Sequence, residues 1–447
     1  ADVNVGGTVH RVVLVDTDSN LEYDSLFVDG TLAQEATDVF SRVVSIPNAT
    51  WADVFGDNVY VIDRYGDITV LSATGDVIRS PLFRSGSSGG AFLLVEDDRV
   101  LTFGYSNRKV LVYTMEGELV SELQLHSNDW PYYAAGSERY FVLVGETSRA
   151  EVLDGSDYRA FAVVLDTAEG RPLLEYVDNI LFNSFFLSAA IYENILILAG
   201  TGGIKGSPTY ADTMLVLALD VSSGDVLWVE NYYFGYDSHV FPAGIDVDGG
   251  RAFLFVFRDE RWRDGYSVIC LDIATGRTIW WRNIPMDASY TPAGAVVGDV
   301  VVMFAGDTCY VISKHNGIKL AEVGLPERSG GYLLKEGELI ISMREDKLIF
   351  VNGDAFYSRI TLGNTSFIIP PVGALSAGEM VLLVSEVPAG KLRVPALGVL
   401  SNIAWVDADL DGDFETVIIT DDNVYTGYPK DWLLRVGATT YDNIIEH

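Results

Sequence analysis

The chain is short of cysteine, of histidine, of positive charge and of long apolar runs. Among its 447 residues only Cys270 and Cys309 are cysteines, which excludes a disulfide framework. Each sits in an apolar, strand-like run; two buried thiols or one bridge between them both fit. The five histidines, His10, His126, His239, His315 and His447, form no pair at metal-ligand spacing, and isolated packed or exposed side chains are expected. Lys and Arg total 30 against 63 Asp and Glu, a net charge of −33. Such a surface repels phosphate backbones and anionic lipid, which argues against a nucleic-acid partner. No apolar run is long enough for a membrane-spanning helix. A Gly-x-x-x-x-Gly-Lys phosphate loop and a Cys-Cys pair are both missing.

Helical periodicity is also scarce. The longest candidate, 31–40, has neighbours that read as strand. What fills the chain is short apolar runs separated by turns, with 49% hydrophobic residues to build a large core. One pattern repeats. Ala218-Leu219-Asp220-Val-Ser-Ser-Gly224-Asp-Val-Leu-Trp228 aligns with Cys270-Leu271-Asp272-Ile-Ala-Thr-Gly276-Arg-Thr-Ile-Trp280, and Val164-Leu165-Asp166 with Gly170 forms a third copy. Weaker copies turn at Gly75, Gly117, Gly317 and Gly353, giving a period of roughly 35–55 residues. Each unit reads as an apolar strand, a turn in which Gly supplies positive φ, and an outer strand. The Asp four residues before each Gly is expected to cap its own turn through backbone hydrogen bonds, a structural role.

Such a period predicts an all-β β-propeller of about eight blades, each a four-stranded antiparallel sheet, with seven or nine also compatible. Residues 1–447 form one propeller domain on this reading. A first blade spans 10–47, repeats span 50–365, and a last blade spans 401–437. Ala1-Asp-Val-Asn-Val5 alternates like an edge strand, which either closes the last blade or adds to a neighbouring subunit. Residues 85–90 read as a flexible inter-blade loop. Arg258-Asp-Glu-Arg-Trp-Arg263 reads as a charged hairpin tip, solvated or in contact with a partner.

Near each end stands an acidic loop with oxygen-bearing side chains at alternate positions. One is Asp407-Ala-Asp409-Leu-Asp411-Gly412-Asp413-Phe-Glu415; the other is Asp16-Thr-Asp18-Ser-Asn20-Leu21-Glu22-Tyr-Asp24. This spacing suits a hard cation, and calcium is the expected cofactor. Side chains of Asp407, Asp409, Asp411 and Glu415 with the Asp413 carbonyl form one ligand set. Asp16, Asp18, Asn20 and Asp24 with the Glu22 carbonyl form the other. A helix–loop–helix site would need Glu at the twelfth position, where Ile418 and Phe27 stand, so the loops are expected to join strands.

The two loops resemble the FG-GAP calcium repeat of integrin α-subunit propellers. The Asp-x-x-x-Gly-x-x-x-Trp units resemble the quinoprotein-type (PQQ-like) propeller repeat over about residues 55–360. That resemblance implies that Trp228 and Trp280 dock between blades, and it leaves Trp281 as an extra, surface residue. It also raises a quinone-dependent dehydrogenase, whose family site uses adjacent cysteines that this chain lacks. The reading favoured is a non-catalytic extracellular or cell-surface propeller, binding calcium and acting in adhesion or as a subunit of an assembly. Its expected partners are other extracellular chains or copies of itself. A secreted quinone-dependent dehydrogenase, or another enzyme using the central funnel, is the alternative. Numbering that opens at Ala1, as after removal of a signal peptide, and the sequons at Asn48 and Asn364 accord with secretion.

Overall fold

The computed structural model describes most of residues 40–362 and, outside that span, 2–5, 8–15, 25–35, 365–369, 384–385, 402–406, 416–420, 424–427 and 433–436. Among the described residues, seven antiparallel sheets form a closed ring. Their first strands are Ala49–Phe55, Ala91–Glu96, Asp129–Ser137, Phe182–Tyr192, Ser238–Asp248, Ala293–Val297 and Tyr332–Glu336. Each touches the next, and the last returns to the first. The fold is therefore a β-propeller, and these sheets are blades 1 to 7 in chain order. Blade 6 has four strand positions from three strands. The single strand Val300–Ser313 pairs with Ala293–Val297 through its first half and with Lys319–Ser329 through its second.

The apolar runs form the second and third strands because those strands are covered on both faces. Ile197, Leu198 and Ala199 on one strand and Leu215 to Leu219 on its neighbour are almost wholly buried. Stacking explains this, since a blade cannot bury both of its faces alone. Blades 3 and 4 share a cluster that includes Val142, Val144, Leu196, Leu198, Leu215 and Leu217. Blades 7 and 1 share one formed by Ile341, Met343, Leu348 and Phe350 with Ala52, Val59, Val61 and Leu71. The fourth strands lie at the rim and are much more exposed, as at Leu119–Gln124.

Ring closure differs from the expectation in two respects. Blade 7 takes its fourth strand from the N-terminal part of the chain. Phe40–Ser45 pairs antiparallel with Lys347–Asn352, joining Val44 to Leu348 and Val43 to Ile349. Asp2–Val5 does not close the ring; it pairs with Thr8–Val15 in a separate four-stranded sheet that ends at Thr31–Glu35. The strands within 10–47 are thus divided between that sheet and blade 7. This division gives seven blades, within the range of seven to nine that the repeat spacing allowed.

Candidate functional site

The two ends of each blade are built differently. At one end, the turn end, the first strand turns into the second and the third into the fourth. The repeat motif lies here and behaves as its chemistry dictates. Asp220 Oδ1 accepts hydrogen bonds from the backbone N–H of Ser222 (2.9 Å) and Ser223 (2.8 Å). Asp272 Oδ1 accepts from the N–H of Thr275 (2.8 Å) and from its hydroxyl (2.6 Å). Gly224 and Gly276 have φ of +76° and +74°. In the third copy Asp166 ends the strand Arg159–Asp166 and its N–H donates to the Arg171 carbonyl at 3.0 Å, while 168–170, Gly170 among them, lie outside the described residues. Gly75, Gly117 and Gly317 also have positive φ, whereas Gly353 opens a 3-10 turn, Gly353–Phe356.

The glycines have a second role. A Cβ on Gly276 would lie 2.6 Å from the Trp228 ring, and one on Gly317 would lie 2.7 Å from the Trp280 ring. Each Trp therefore seats on the turn glycine of the next blade. The indole N–H completes the contact: Trp228 donates to the Ile273 carbonyl at 2.7 Å and Trp280 to the Lys314 carbonyl at 3.0 Å. Phe83 on Gly117 and Leu174 on Gly224 use the same arrangement, and Val44 on Gly75 extends it across the closure. Trp281 departs from expectation. It is half-buried, packs edge-on against Tyr232 and donates to Asn283 Oδ1 at 3.1 Å.

Other sequence candidates resolve simply. Cys270 and Cys309 are free, buried thiols, and burial pushes the Cys270 pKa up to about 12. His126 Nδ1 accepts from the Asn128 N–H at 3.1 Å. His315 lies 3.5 Å from Asp299, and burial lowers its pKa below the usual imidazole value. Ser85 and Ser87 are buried, with the Ser87 hydroxyl 2.8 Å from that of Thr102, so this part of the inter-blade segment is held in place. Asn48 is exposed at a left-handed turn before Ala49–Phe55; Asn364 lies outside the described residues. Of the charged tip, Arg258 belongs to the strand Arg251–Glu260, and 261–264 lie outside the described residues.

The ten acidic-loop positions, Asp16, Asp18, Asn20, Glu22, Asp24, Asp407, Asp409, Asp411, Asp413 and Glu415, also lie outside the described residues. The strands that bracket them are described. Thr8–Val15 pairs antiparallel with Ser25–Val28, closing at Val15 and Ser25. Asn402–Val406 pairs with Thr416–Thr420, closing at Val406 and Thr416. Both loops therefore join strands, as expected, and the closing pairs Val15–Ser25 and Val406–Thr416 have the same separation along the chain.

Two sites were not visible in the repeats. The first lies on the axis, in a cavity of about 130 Å³ lined by Tyr133, Asp246, Gly294, Leu333, Lys335 and neighbours. Lys335 donates to Asp246 Oδ2 at 2.9 Å and to the Val296 carbonyl at 2.8 Å, while the Val296 N–H donates to the same carboxylate at 2.7 Å. One lysine thus bolts blade 7 to blades 5 and 6. At the equivalent register in blade 1, Asp53 accepts from the Val95 N–H of blade 2 at 2.6 Å. The separation of Asp246 and Lys335 along the chain hid this pair from the sequence.

The second site lies at the opposite end of the ring, where the first strands begin, on blades 3 and 4 with Arg108 from blade 2. Register shifts between Pro131 and Tyr133, between Phe182 and Phe185, and between Pro242 and Gly244 mark bulges in three successive blades. A bulge locally re-aims side chains. Across from the first, a Cβ on Gly145 would meet the Trp130 carbonyl oxygen at 1.9 Å, so only glycine admits this close approach. Trp130 and Tyr132 are left 44% and 42% exposed. Tyr132 and Tyr158 both pack against Phe185, with ring centroids 6.0 and 6.3 Å apart. The Arg108 guanidinium lies 3.9 Å from the Trp130 ring centroid.

Below this aromatic surface are the carboxylates of blade 3. Asp129 is fully buried and is clamped by Arg149, whose Nε donates to Oδ1 at 2.8 Å and whose other arm reaches Glu175. Glu146 stands opposite Trp130 in the register and hydrogen-bonds with the Tyr132 hydroxyl. Burial pushes the Glu146 pKa up, and the Tyr132 hydrogen bond opposes the shift only in part. The Tyr132 phenol is raised too, by burial and by that carboxylate. The run Trp130-Pro-Tyr-Tyr133, which has no counterpart in the repeats, was the available signal for this site.

No protein-family model matches the chain, and no curated protein sequence does. The similarities are to solved structures. BamB from Moraxella catarrhalis shares 12% identity at a TM-score of 0.45, covering 79% of this chain and 100% of that one. The β-propeller domain of Cps50 (Swd1) from Myceliophteria thermophila shares 11% at 0.48, covering 70% and 98%. The computationally designed Ika8 protein shares 16% at 0.43, covering 72% and 98%. At these identities the likeness is one of fold.

Proposed function

We propose that this propeller is a non-catalytic scaffold that binds other protein chains, outside the cell or at its surface, in adhesion or in an assembly. The observation that carries the reading is the aromatic surface at the bulged end of blades 3 and 4. Exposed tryptophan and tyrosine are characteristic of the centres of protein interfaces, and here they are gathered on one surface. The axial cavity supports the same reading. Its volume of about 130 Å³ is below the roughly 300–1,000 Å³ of small-molecule sites, and its lysine and aspartate are bonded to each other.

Calcium is part of the proposal. The carboxylates of Asp407, Asp409, Asp411 and Glu415, and those of Asp16, Asp18 and Asp24 with the Asn20 amide, are hard oxygen donors suited to that ion. Support comes from the two loops closing equivalent hairpins. Bound calcium would stiffen those hairpins for contact with other chains. The test is electron microscopy and calorimetry of the whole chain, first with calcium and then after chelation. The reading expects calcium uptake, lost in part with Asp411→Ala, and particles larger than one chain that shrink on chelation. A calcium-indifferent monomer would overturn it, as would turnover of an alcohol on adding quinone and calcium.

A further inference from the structure

The aromatic surface at the bulged end carries a more specific reading, which rests on the protein-binding function above. We propose that it is a recognition site for a lysine- or arginine-bearing segment of a partner protein, with the cation seated against Tyr132, Tyr158 and Phe185 and Glu146 as its counter-charge.

Three observations converge on a cationic occupant. The rings stand at angles to one another: the Tyr132 and Phe185 planes cross at 82° and those of Tyr158 and Phe185 at 49°. Such a wall offers both the faces that attract a cation and the apolar surface that covers its alkyl stem. The same strand already holds a cation in this way, since Arg108 lies over Trp130 at 3.9 Å. A second cation would meet the neighbouring rings by the same physics.

Charge supplies the second argument. The first two strands of blade 3 carry two carboxylates at this end, Asp129 and Glu146, in contrasting states. Asp129 has Arg149, which it shares with Glu175. Glu146 is half-buried, and the group that favours its charged form is the neutral Tyr132 hydroxyl. A carboxylate in this position gains from an incoming positive charge, which would replace the solvation lost on burial. A neutral sugar would stack on the rings but would leave that carboxylate uncompensated. Thirdly, a net charge of −33 draws basic segments toward the molecule over long range. Long-range attraction alone is diffuse; the Glu146 carboxylate beside the Tyr132 ring makes it local.

The test is titration of the whole chain with octa-lysine amide at about 0.15 M salt, where charges beyond about 8 Å are largely screened. Tryptophan fluorescence reports binding, and Trp130→Phe identifies the responding residue. Glu146→Gln keeps an acceptor for Tyr132 and removes the charge. It is expected to weaken binding about tenfold, whereas Glu118→Gln, an equal loss of charge on an exposed turn of blade 2, changes it less than twofold. Tyr132→Phe keeps the ring and is expected to retain binding within about threefold. Equal effects of the Glu146 and Glu118 substitutions would overturn the site, because binding would then be diffuse. A fluorescence change that survives Trp130→Phe, or saturation by maltoheptaose in place of octa-lysine, would also overturn it. The scaffold reading fails separately, through a calcium-indifferent monomer.

Discussion

The turn end and the bulged end of the same blades use glycine, aromatics and acids for opposite purposes. At the turn end, Asp220 and Asp272 spend their carboxylates on their own turns, and Trp228 and Trp280 are covered by the next blade. At the bulged end, Glu146 has the Tyr132 hydroxyl as its partner, and Trp130 and Tyr132 stay open to solvent. Gly276 makes room for a tryptophan of the same chain, while Gly145 makes room for a bulge that pushes a tryptophan outward. The comparison teaches that residue type alone does not separate packing from recognition. What separates them is whether the neighbouring blade completes the contact.

The contrast can be broken or sharpened by substitution. The largest effect is expected from removing the closing strand. Deleting residues 1–45 strips Phe40–Ser45 from Lys347–Asn352 and uncovers the edge of blade 7. The main thermal transition of the full-length chain should be lost or should move sharply down in temperature, as read by calorimetry. Retention of the full-length transition would mean that the ring does not depend on this strand.

Next come the turn-end packing residues. Trp280 is 1% exposed, and Trp280→Ala should cost about 3–5 kcal/mol in denaturant unfolding. Gly276→Ala adds a Cβ both at positive φ and against the Trp228 ring. Strain and overpacking together should cost about 2–4 kcal/mol. Octa-lysine binding should be unchanged in both while the proteins remain folded.

The smallest stability effect belongs to the bulged end and depends on pH. Glu146 has its pKa raised in the folded state, so the folded protein holds that proton more tightly than the unfolded chain does. Its contribution is therefore full below the ordinary glutamate pKa and is lost as pH rises through the raised value. Glu146→Gln should remove this loss. Unfolding titrations across the acid range should show the variant equal to the parent at low pH and no less stable at neutral pH. A variant less stable at neutral pH would show that the carboxylate is structural.

How much of this was legible in the sequence follows the same division. The Asp–Gly–Trp turns were readable because each is local, and the sequence pattern that makes the turn also makes the contact with the next blade. The propeller followed from their period. The number of blades did not, because closure joins residues at opposite ends of the ring, as Val44 joins Leu348, and no period encodes that pairing. The axial pair Asp246 and Lys335 was hidden for the same reason. At the bulged end, the run Trp130-Pro-Tyr-Tyr133 stands outside the repeat, but its composition does not say which rings face solvent. Only the register shift after Pro131 distinguishes an outward tryptophan from a packed one.

The central claim, that one end holds the ring while the other binds, is tested most directly by measuring two quantities on two variants. Gly276→Ala and Glu146→Gln are each assayed for thermal unfolding and for octa-lysine affinity at neutral pH. The account predicts that Gly276→Ala melts earlier with affinity unchanged, and that Glu146→Gln melts no earlier with affinity reduced about tenfold. If either substitution lowers both quantities together, the two ends are not separate in function, and the account is contradicted.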